Sequence, residues 1–190
     1  MPGEYRAHLH VGPGGPSPRG TFEILDGGRI PSADAMRALR RLHAGAVTVV
    51  ATVTAEGFRG ITVSAFCIVS LAPPVVLICL GRPGEALNAV RAAGQFSVSI
   101  LSDHQEFLAE RFAGRAPLVN PRFEGVRHHV LRSGNPVLEE CLAWFDCRVR
   151  SIEDVGDHAV VLGDVVEAGR GTGAFPLLYF DGSYRELQIE

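Results

Sequence analysis

Short β-forming runs separated by turn residues dominate the chain and predict a mainly β protein. Apolar and β-branched residues cluster in runs that are bounded by Gly, Pro, Asn or Asp, which is typical of strands. These runs cover residues 47–54, 60–70, 74–80, 96–101, 141–151, 158–168 and 175–184. Because most of them follow one another directly, we expect antiparallel meanders that close into a barrel.

A few segments with helical spacing would flank these strands. Ser32 is a candidate N-cap for a first helix, since its hydroxyl can accept a free backbone N–H. Residues 85–93 predict a second helix that ends at Gly94. Asp103 is expected to cap a third helix. The stretch 114–141 is expected to be mostly loop with short helical pieces.

The first 31 residues differ in composition from the rest of the chain. They are rich in Gly and Pro and too poor in apolar residues to pack alone, so we expect a flexible N-terminal arm over residues 1–31. This arm is either disordered or lies across a neighbouring subunit. Residues 32–190 are expected to form one folded domain, because a chain of 190 residues has the length of a single domain.

Composition and charge exclude several classes of protein. The net charge of −3 gives no support to a nucleic-acid or membrane-surface partner. No apolar run approaches the roughly 18 residues of a membrane span, and the N-terminus lacks a signal-peptide core, so we expect a cytoplasmic protein. The four cysteines form no Cys-x-x-Cys pair, and we therefore expect no metal site.

Residues 57–74 are the most informative stretch of the sequence. Small hydroxyl residues lie among β-formers, and the run stops at Pro73-Pro74. Low bulk, hydroxyl groups and free backbone N–H groups suit close contact with a flat polar ligand. The alternative is an ordinary hairpin whose Ser and Thr side chains face water. No Gly-x-Gly-x-x-Gly or Walker A motif is present, so a nucleotide site would need another scaffold.

Several motifs in one order carry a resemblance to a known family. Thr62-Val-Ser-Ala-Phe, Val69-Ser-Leu-Ala-Pro-Pro and Gly156-Asp-His lie within a longer match over roughly residues 34–187, and together they resemble the flavin reductase-like family. The resemblance implies an antiparallel, Greek-key-like FMN-binding split β-barrel with a few flanking helices, assembled as a homodimer. It further implies NADH-dependent reduction of FMN or FAD (NADPH is possible) and delivery of reduced flavin to a partner flavin-dependent monooxygenase.

The resemblance also implies a set of flavin contacts. Hydroxyl and backbone N–H groups of one strand would bond the isoalloxazine edge and the ribityl chain, and neighbouring positions would complete the surface. These positions are Thr62, Val63, Ser64 and Ala65, with Thr48 on the preceding strand and Cys67 and Ser70 further along the same run.

A flavin phosphate would need donors, and Arg82 and Gly84 precede the predicted helix over residues 85–93. A helix N-terminus offers free N–H groups to an anion, and an arginine adds a charge-assisted bond. Many family members carry Ser or Thr at the position of Gly84, so this chain would use a glycine N–H instead. The alternative is a plain turn with a solvated arginine.

His158 is the candidate catalytic residue. Gly156, Asp157 and His158 match the family's Gly-Asp-His, which implies an imidazole directed toward the nicotinamide and the flavin. The alternative is a turn histidine that merely opens a strand.

Two other functions remain open at this stage. The protein could be a flavin- or haem-binding carrier or sensor without reductase turnover. It could also be an oxidase of the pyridoxamine-phosphate type, although such oxidases usually present clustered basic residues that this chain lacks.

Overall fold

The computed structural model describes residues 30–116 and 123–187, and the chain divides into two compact units, residues 1–40 and 41–190. Residues 1–29 of the expected arm lie outside the described residues, so its flexibility stays a prediction. Helix α1 (Ala33–Arg41) makes up most of the described part of the first unit. The Oγ of Ser32 accepts the N–H of Ala35 at 3.2 Å, which confirms Ser32 as the N-cap.

The second unit contains twelve strands and two further helices among its described residues. The strands are β1 (Gly45–Ala46), β2 (Thr48–Thr54), β3 (Gly57–Val63), β4 (Phe66–Leu71), β5 (Pro74–Gly81), β6 (Gln95–Ile100), β7 (His128–Val130), β8 (Pro136–Leu138), β9 (Ala143–Val155), β10 (His158–Arg170), β11 (Leu178–Phe180) and β12 (Ser183–Arg185). The helices are α2 (Glu85–Ala93) and α3 (Glu106–Phe112). No helix in the described ranges is both long and apolar enough to cross a membrane.

Seven strands form one antiparallel sheet in the order β3-β2-β6-β9-β10-β5-β4. The expectation of a mainly β, antiparallel fold is therefore confirmed. The long hairpin of β9 and β10 is the centre of this sheet, and β5 pairs with the first half of β10. A small sheet of β1, β11 and β12 and the β7–β8 hairpin complete the unit.

The two edge strands of the large sheet are joined by only two residues. Chain connectivity runs from Val63 at the end of β3 through Ser64 and Ala65 to Phe66 at the start of β4. Three residue steps reach at most about 11 Å. The edges of a flat seven-stranded sheet would lie about 29 Å apart, at roughly 4.8 Å per strand spacing. The sheet is therefore strongly curled, and its edges meet at Ser64–Ala65.

Apolar residues fill both faces of the curled sheet near β2. One cluster joins the sheet to α2 and includes Val50, Phe96 and Leu87, each at most 3% exposed. A second cluster, under α3, includes Val49 and Phe112. Alternate residues of β2 thus enter different clusters, which explains why this strand is apolar along most of its length.

Local signals predicted some elements closely and others poorly. Helix α2 covers residues 85–93, and Gly94 ends it in the left-handed conformation (φ 66°), as predicted. The predicted strand over 60–70 is wrong as one element, because its two halves lie on opposite edges of the sheet. Ser102, not Asp103, is the N-cap at the start of the short 3-10 turn before α3.

Two longer stretches also differ from prediction. The described residues of 114–141 contain strands β7 and β8, and 123–141 has no helical piece. The predicted strand over 175–184 is broken by a tight turn into β11 and β12, with Asp181 at φ 48° and Gly182 at φ 78°. A two-residue turn inside an apolar run changes the hydrophobic pattern little, so the sequence predicts one continuous strand where the structure has two.

A partly exposed polar contact links β12 to α3. The Tyr184 hydroxyl donates to Glu110 Oε1 at 2.6 Å, and Arg115 Nε lies 3.0 Å from both oxygens of the same carboxylate. The hydrogen bond from Arg115, followed by the one from Tyr184, holds the pKa of Glu110 below its usual value of 4.5. This carboxylate therefore favours the folded state while it is ionised.

We predict that Glu110→Gln lowers the free energy of unfolding by about 1 kcal/mol at neutral pH, because a charge-assisted contact is lost from a partly exposed site. Since the folded-state pKa of Glu110 is lowered, its contribution is present above about pH 4.5 and is lost as pH falls through the folded pKa. Urea unfolding at a series of pH values measures the gap between wild type and variant. The gap should close in acid.

Glu106→Gln is the matched control, since Glu106 lies on the same helix and its side chain forms no hydrogen bond with a residue in the described ranges. Its unfolding free energy should differ little from wild type at every pH. A gap for Glu110→Gln that does not change with pH would contradict the assignment.

Candidate functional site

The point where the sheet edges meet exposes a short piece of backbone. Ser64 and Ala65 are exposed, whereas Val63 before them is only 7% exposed. Ala65 O accepts the N–H of Cys79 at 3.1 Å, so the junction is fixed to β5. We call residues 63–66 the seam. It offers backbone groups and the Ser64 hydroxyl, which forms no hydrogen bond with a described residue.

Two of the predicted contact hydroxyls are already engaged within the protein. Thr48 is fully buried and its Oγ donates to Val63 O at 2.7 Å. Thr62 Oγ donates to Ala109 O on α3 at 2.6 Å. These hydroxyls position the seam and α3, so any ligand contact from Thr48 or Thr62 would have to come from backbone groups or from displacement of these bonds.

The other predicted residues of β4 extend away from the seam. Cys67 is exposed and pairs with Leu77, and Ser70 pairs with Val75 beyond a bulge. Val75 is six residues from Gly81 along β5, which is about 20 Å of extended strand. The structure therefore does not bring Ser70 together with the residues near Gly81 at the end of β5. Cys67 lies between Ser70 and the seam.

The opposite end of β5 meets the β9–β10 turn. His158 pairs with Gly81, and the N–H of Arg82 donates to Asp157 O at 2.8 Å. His158 Nδ1 lies 2.7 Å from Asp157 Oδ1, and its Nε2 has no hydrogen-bond partner in the described ranges. A neighbouring carboxylate that accepts from Nδ1 fixes the tautomer and leaves Nε2 to meet a ligand.

Gly84 shapes the turn between β5 and α2. It is the N-cap of α2 in an extended conformation (φ −155°, ψ 136°), and no side chain caps the helix. A Cβ at this position would lie 2.6 Å from Gly81 O, so only glycine fits without a shift. The first N–H groups of α2 thus remain open beside a cradle of backbone, which suits an anion.

An aspartate that the sequence analysis missed organises the charges beside this turn. Asp154 Oδ2 lies 2.8 Å from the Arg82 guanidinium, and its other oxygen contacts Arg91. One carboxylate thus contacts two guanidinium groups, that of Arg82 just before α2 and that of Arg91 in the last turn of the helix. No local motif reveals this contact, because Asp154 reaches Arg82 only through the pairing of β9, β10 and β5.

Strand register relates the seam to His158. Ala65 lies beside Cys79, and Cys79 pairs with Val160 on β10. His158 is two residues further along β10, so it lies about 10 Å across and about 7 Å along the sheet from Ala65, from ordinary strand spacings. The seam, the N-terminus of α2 and the β9–β10 turn thus lie around the end of β5 at Cys79–Gly81. We call this region the seam site, and among the described residues no group of three His, Cys, Asp or Glu is arranged to hold a metal ion.

We predict that Thr62→Val lowers the free energy of unfolding by about 1 kcal/mol, because the part-buried link from β3 to α3 loses its hydrogen bond with little change in side-chain shape. Ser64→Ala is the matched control two residues away, and its stability should stay within about 0.5 kcal/mol of wild type. Denaturant unfolding measures both variants. Equal losses would contradict the different roles of the two hydroxyls.

Comparison with known proteins places the chain. Residues 39–188 match the family model described as "Flavin reductase like domain". The protein named "FMN reductase (NADH) RutF" from Agrobacterium fabrum is 39% identical over 156 residues, covering 82% of this chain and 88% of the relative. "Flavin-dependent monooxygenase, reductase subunit HsaB" from Mycobacterium tuberculosis is 33% identical over 146 residues, covering 76% of each chain.

Solved structures agree with the sequence comparison. "NADH:FAD oxidoreductase SgcE6" from Streptomyces globisporus C-1027 superposes with a TM-score of 0.80 at 30% identity, covering 90% of this chain and 99% of that one. The family model spans most of the chain, and the similarity extends from sequence to fold. The chain therefore belongs to the flavin reductase-like family.

Proposed function

We propose that the protein is an NADH-dependent flavin reductase that binds FMN or FAD at the seam site. The observation that supports this proposal is that an exposed backbone seam, an open helix N-terminus and a histidine held by an aspartate lie around one end of β5. Two of the relatives named above are described as an NADH-dependent FMN reductase and an NADH:FAD oxidoreductase. That description favours turnover over a flavin or haem carrier, and over an oxidase.

The residues present fit a flavin mononucleotide moiety. Ser64 and Ala65 carry no bulk that would hold a flat ring away from the backbone. The cradle at Gly84 would be filled by any Cβ, and the open N–H groups of α2 together with Arg82 suit the phosphate. Val63, Gly156 and Asp157 support these groups through the seam and the β9–β10 turn.

Bound flavin supplies the redox chemistry, because it accepts a hydride from the reduced nicotinamide. The protein would hold the two rings in contact, and this positioning would make the transfer effectively unimolecular. His158 Nε2 is free to hydrogen-bond the nicotinamide nucleotide while Asp157 holds the imidazole through Nδ1. Asp154 keeps Arg82 in place beside the phosphate and limits the net charge there.

The curled sheet and its exposed edge support a split barrel and a homodimer. Edges joined by two residues bring the sheet close to a closed barrel. Ile68 and Val69 of the edge strand β4 are each 51% exposed, and Leu71 is 85% exposed. An apolar edge of this kind is usually covered, and a second copy of the chain would cover it.

A flavin-dependent monooxygenase is the proposed consumer of the reduced flavin. One relative is described as the reductase subunit of such an enzyme. Flavin would then act as a substrate that leaves the reductase after reduction, and the exposed seam would allow its release.

We predict that the protein, mixed with NADH and FMN without oxygen, bleaches the visible absorbance of the flavin. His158→Ala should lower kcat/KM for NADH about 10- to 100-fold, from the loss of one hydrogen bond to a charged ligand, and should leave the Kd for FMN within about twofold. Stopped-flow absorbance and a fluorescence titration measure these quantities.

His104→Ala is the matched control, because His104 also has an aspartate neighbour, with Nδ1 3.2 Å from Asp103 Oδ1, but lies outside the seam site. Its kinetics should match wild type. Absence of bleaching by the wild-type protein would overturn the proposed function. Unchanged kinetics in His158→Ala would overturn only the role of His158.

A further inference from the structure

A second polar cleft lies on the other half of β9, away from the seam site. Its volume is about 340 Å³, within the range of small-ligand sites. The residues that line it include Gln95, Arg132, Ser133, Asp146, Arg148 and Glu167. Asp146 and Asp154 are eight residues apart on the same strand, which is about 26 Å.

Asp146 is a buried carboxylate that forms no ion pair within the part of the chain that the structure describes. It is 2% exposed, and its one hydrogen bond among the described residues is accepted by Oδ1 from Asn135 Nδ2 at 2.9 Å. No Lys, Arg or His in the described ranges lies within ion-pair distance of it. Glu167 pairs with Asp146 across β9 and β10, so a second carboxylate lies on the same face.

A purely structural role does not require this charge. An asparagine or any other oxygen acceptor at position 146 could receive the bond from Asn135, whereas an uncompensated buried carboxylate destabilises the fold. The carboxylate-bearing residue Glu167 lies opposite it. Because neither side chain forms an ion pair with a described residue, a cationic ligand group placed against them would be stabilised.

Two guanidinium groups of the same cleft also have no partner among the described residues. Arg132 and Arg148 form no ion pair or side-chain hydrogen bond with any residue in 30–116 or 123–187. Arg150, two residues along β9, shows the ordinary alternative, because its Nε donates to Asp164 at 2.7 Å. The cleft thus combines open acceptors for a cation with open donors for an anion.

We propose that this cleft binds a small zwitterion, with an ammonium group at Asp146 and Glu167 and a carboxylate or phosphate at Arg132 and Arg148. Gln95 is fixed beside them, since its Nε2 donates to Ser133 O at 2.9 Å. The side-chain oxygen Oε1 of Gln95 is then left for the ligand. The site is independent of the seam site and requires neither flavin nor NADH.

Calorimetric titration of the full chain with O-phosphoethanolamine and with β-alanine tests the proposal and distinguishes phosphate from carboxylate. At least one should bind more than tenfold tighter than inorganic phosphate or ethanolamine alone. Asp146→Asn keeps an acceptor for Asn135, and both it and Arg148→Ala should weaken binding about 10- to 100-fold, from the loss of one charged hydrogen bond. Arg150→Ala, the matched control, should bind like wild type.

Thermal unfolding establishes whether each variant is folded. If Asp146→Asn does not fold, the binding of Arg148→Ala decides the test. Zwitterions that bind no tighter than phosphate alone would overturn the proposal. Wild-type binding by folded Asp146→Asn and Arg148→Ala would also overturn it. So would conversion of a dimer to a monomer by Arg148→Ala in sedimentation, which would assign the cleft to a subunit interface.

Discussion

The two-residue connection between β3 and β4 constrains the rest of the large sheet. A flat arrangement would separate these edges by about 29 Å, but Ser64 and Ala65 can bridge only about 11 Å. The sheet must curl until its edges meet, and the buried Thr48 hydroxyl fixes the junction by donating to Val63 O. This constraint leaves Ser64 and Ala65 exposed where the sheet edges meet, and that strip is the centre of the proposed flavin site.

Strand pairing then determines what surrounds the seam. The antiparallel register of β5 with β10 puts Gly81 beside His158, and the further pairing of β10 with β9 brings Asp154 to Arg82. The same turn begins α2, whose uncapped N-terminus provides anion-binding N–H groups. These groups lie close together in the fold, and the turns that join them include the cis peptide bond between Arg82 and Pro83 and the left-handed Gly156. Their proximity follows from how far each strand extends before it turns, which is why a small domain can align two large ligands without a dinucleotide-binding fold.

The sequence predicted single helices and strands better than the contacts between them. Helix α2 and the start of β10 at His158 were predicted at their observed residues, because Gly94 and the Gly156-Asp157 turn are strong local signals. The break at Ser64–Ala65 was not predicted, since residues on both sides are equally β-forming. The sequence also did not predict the partners of two hydroxyl groups, because Thr48 and Thr62 donate to carbonyl groups that are distant in sequence. No local sequence pattern predicted the role of Asp154, because its contacts depend on the register between strands about 80 residues apart.

Hydrogen exchange of backbone amides, measured by mass spectrometry with and without FMN, tests the central claim most directly. Our account predicts slower exchange on FMN binding at residues 64–66 and in the first turn of α2. It predicts no change at the cleft beside Arg148. Bound FMN that leaves the amides of 64–66 unchanged, while it protects another part of the sheet, would contradict the assignment of the flavin to the seam.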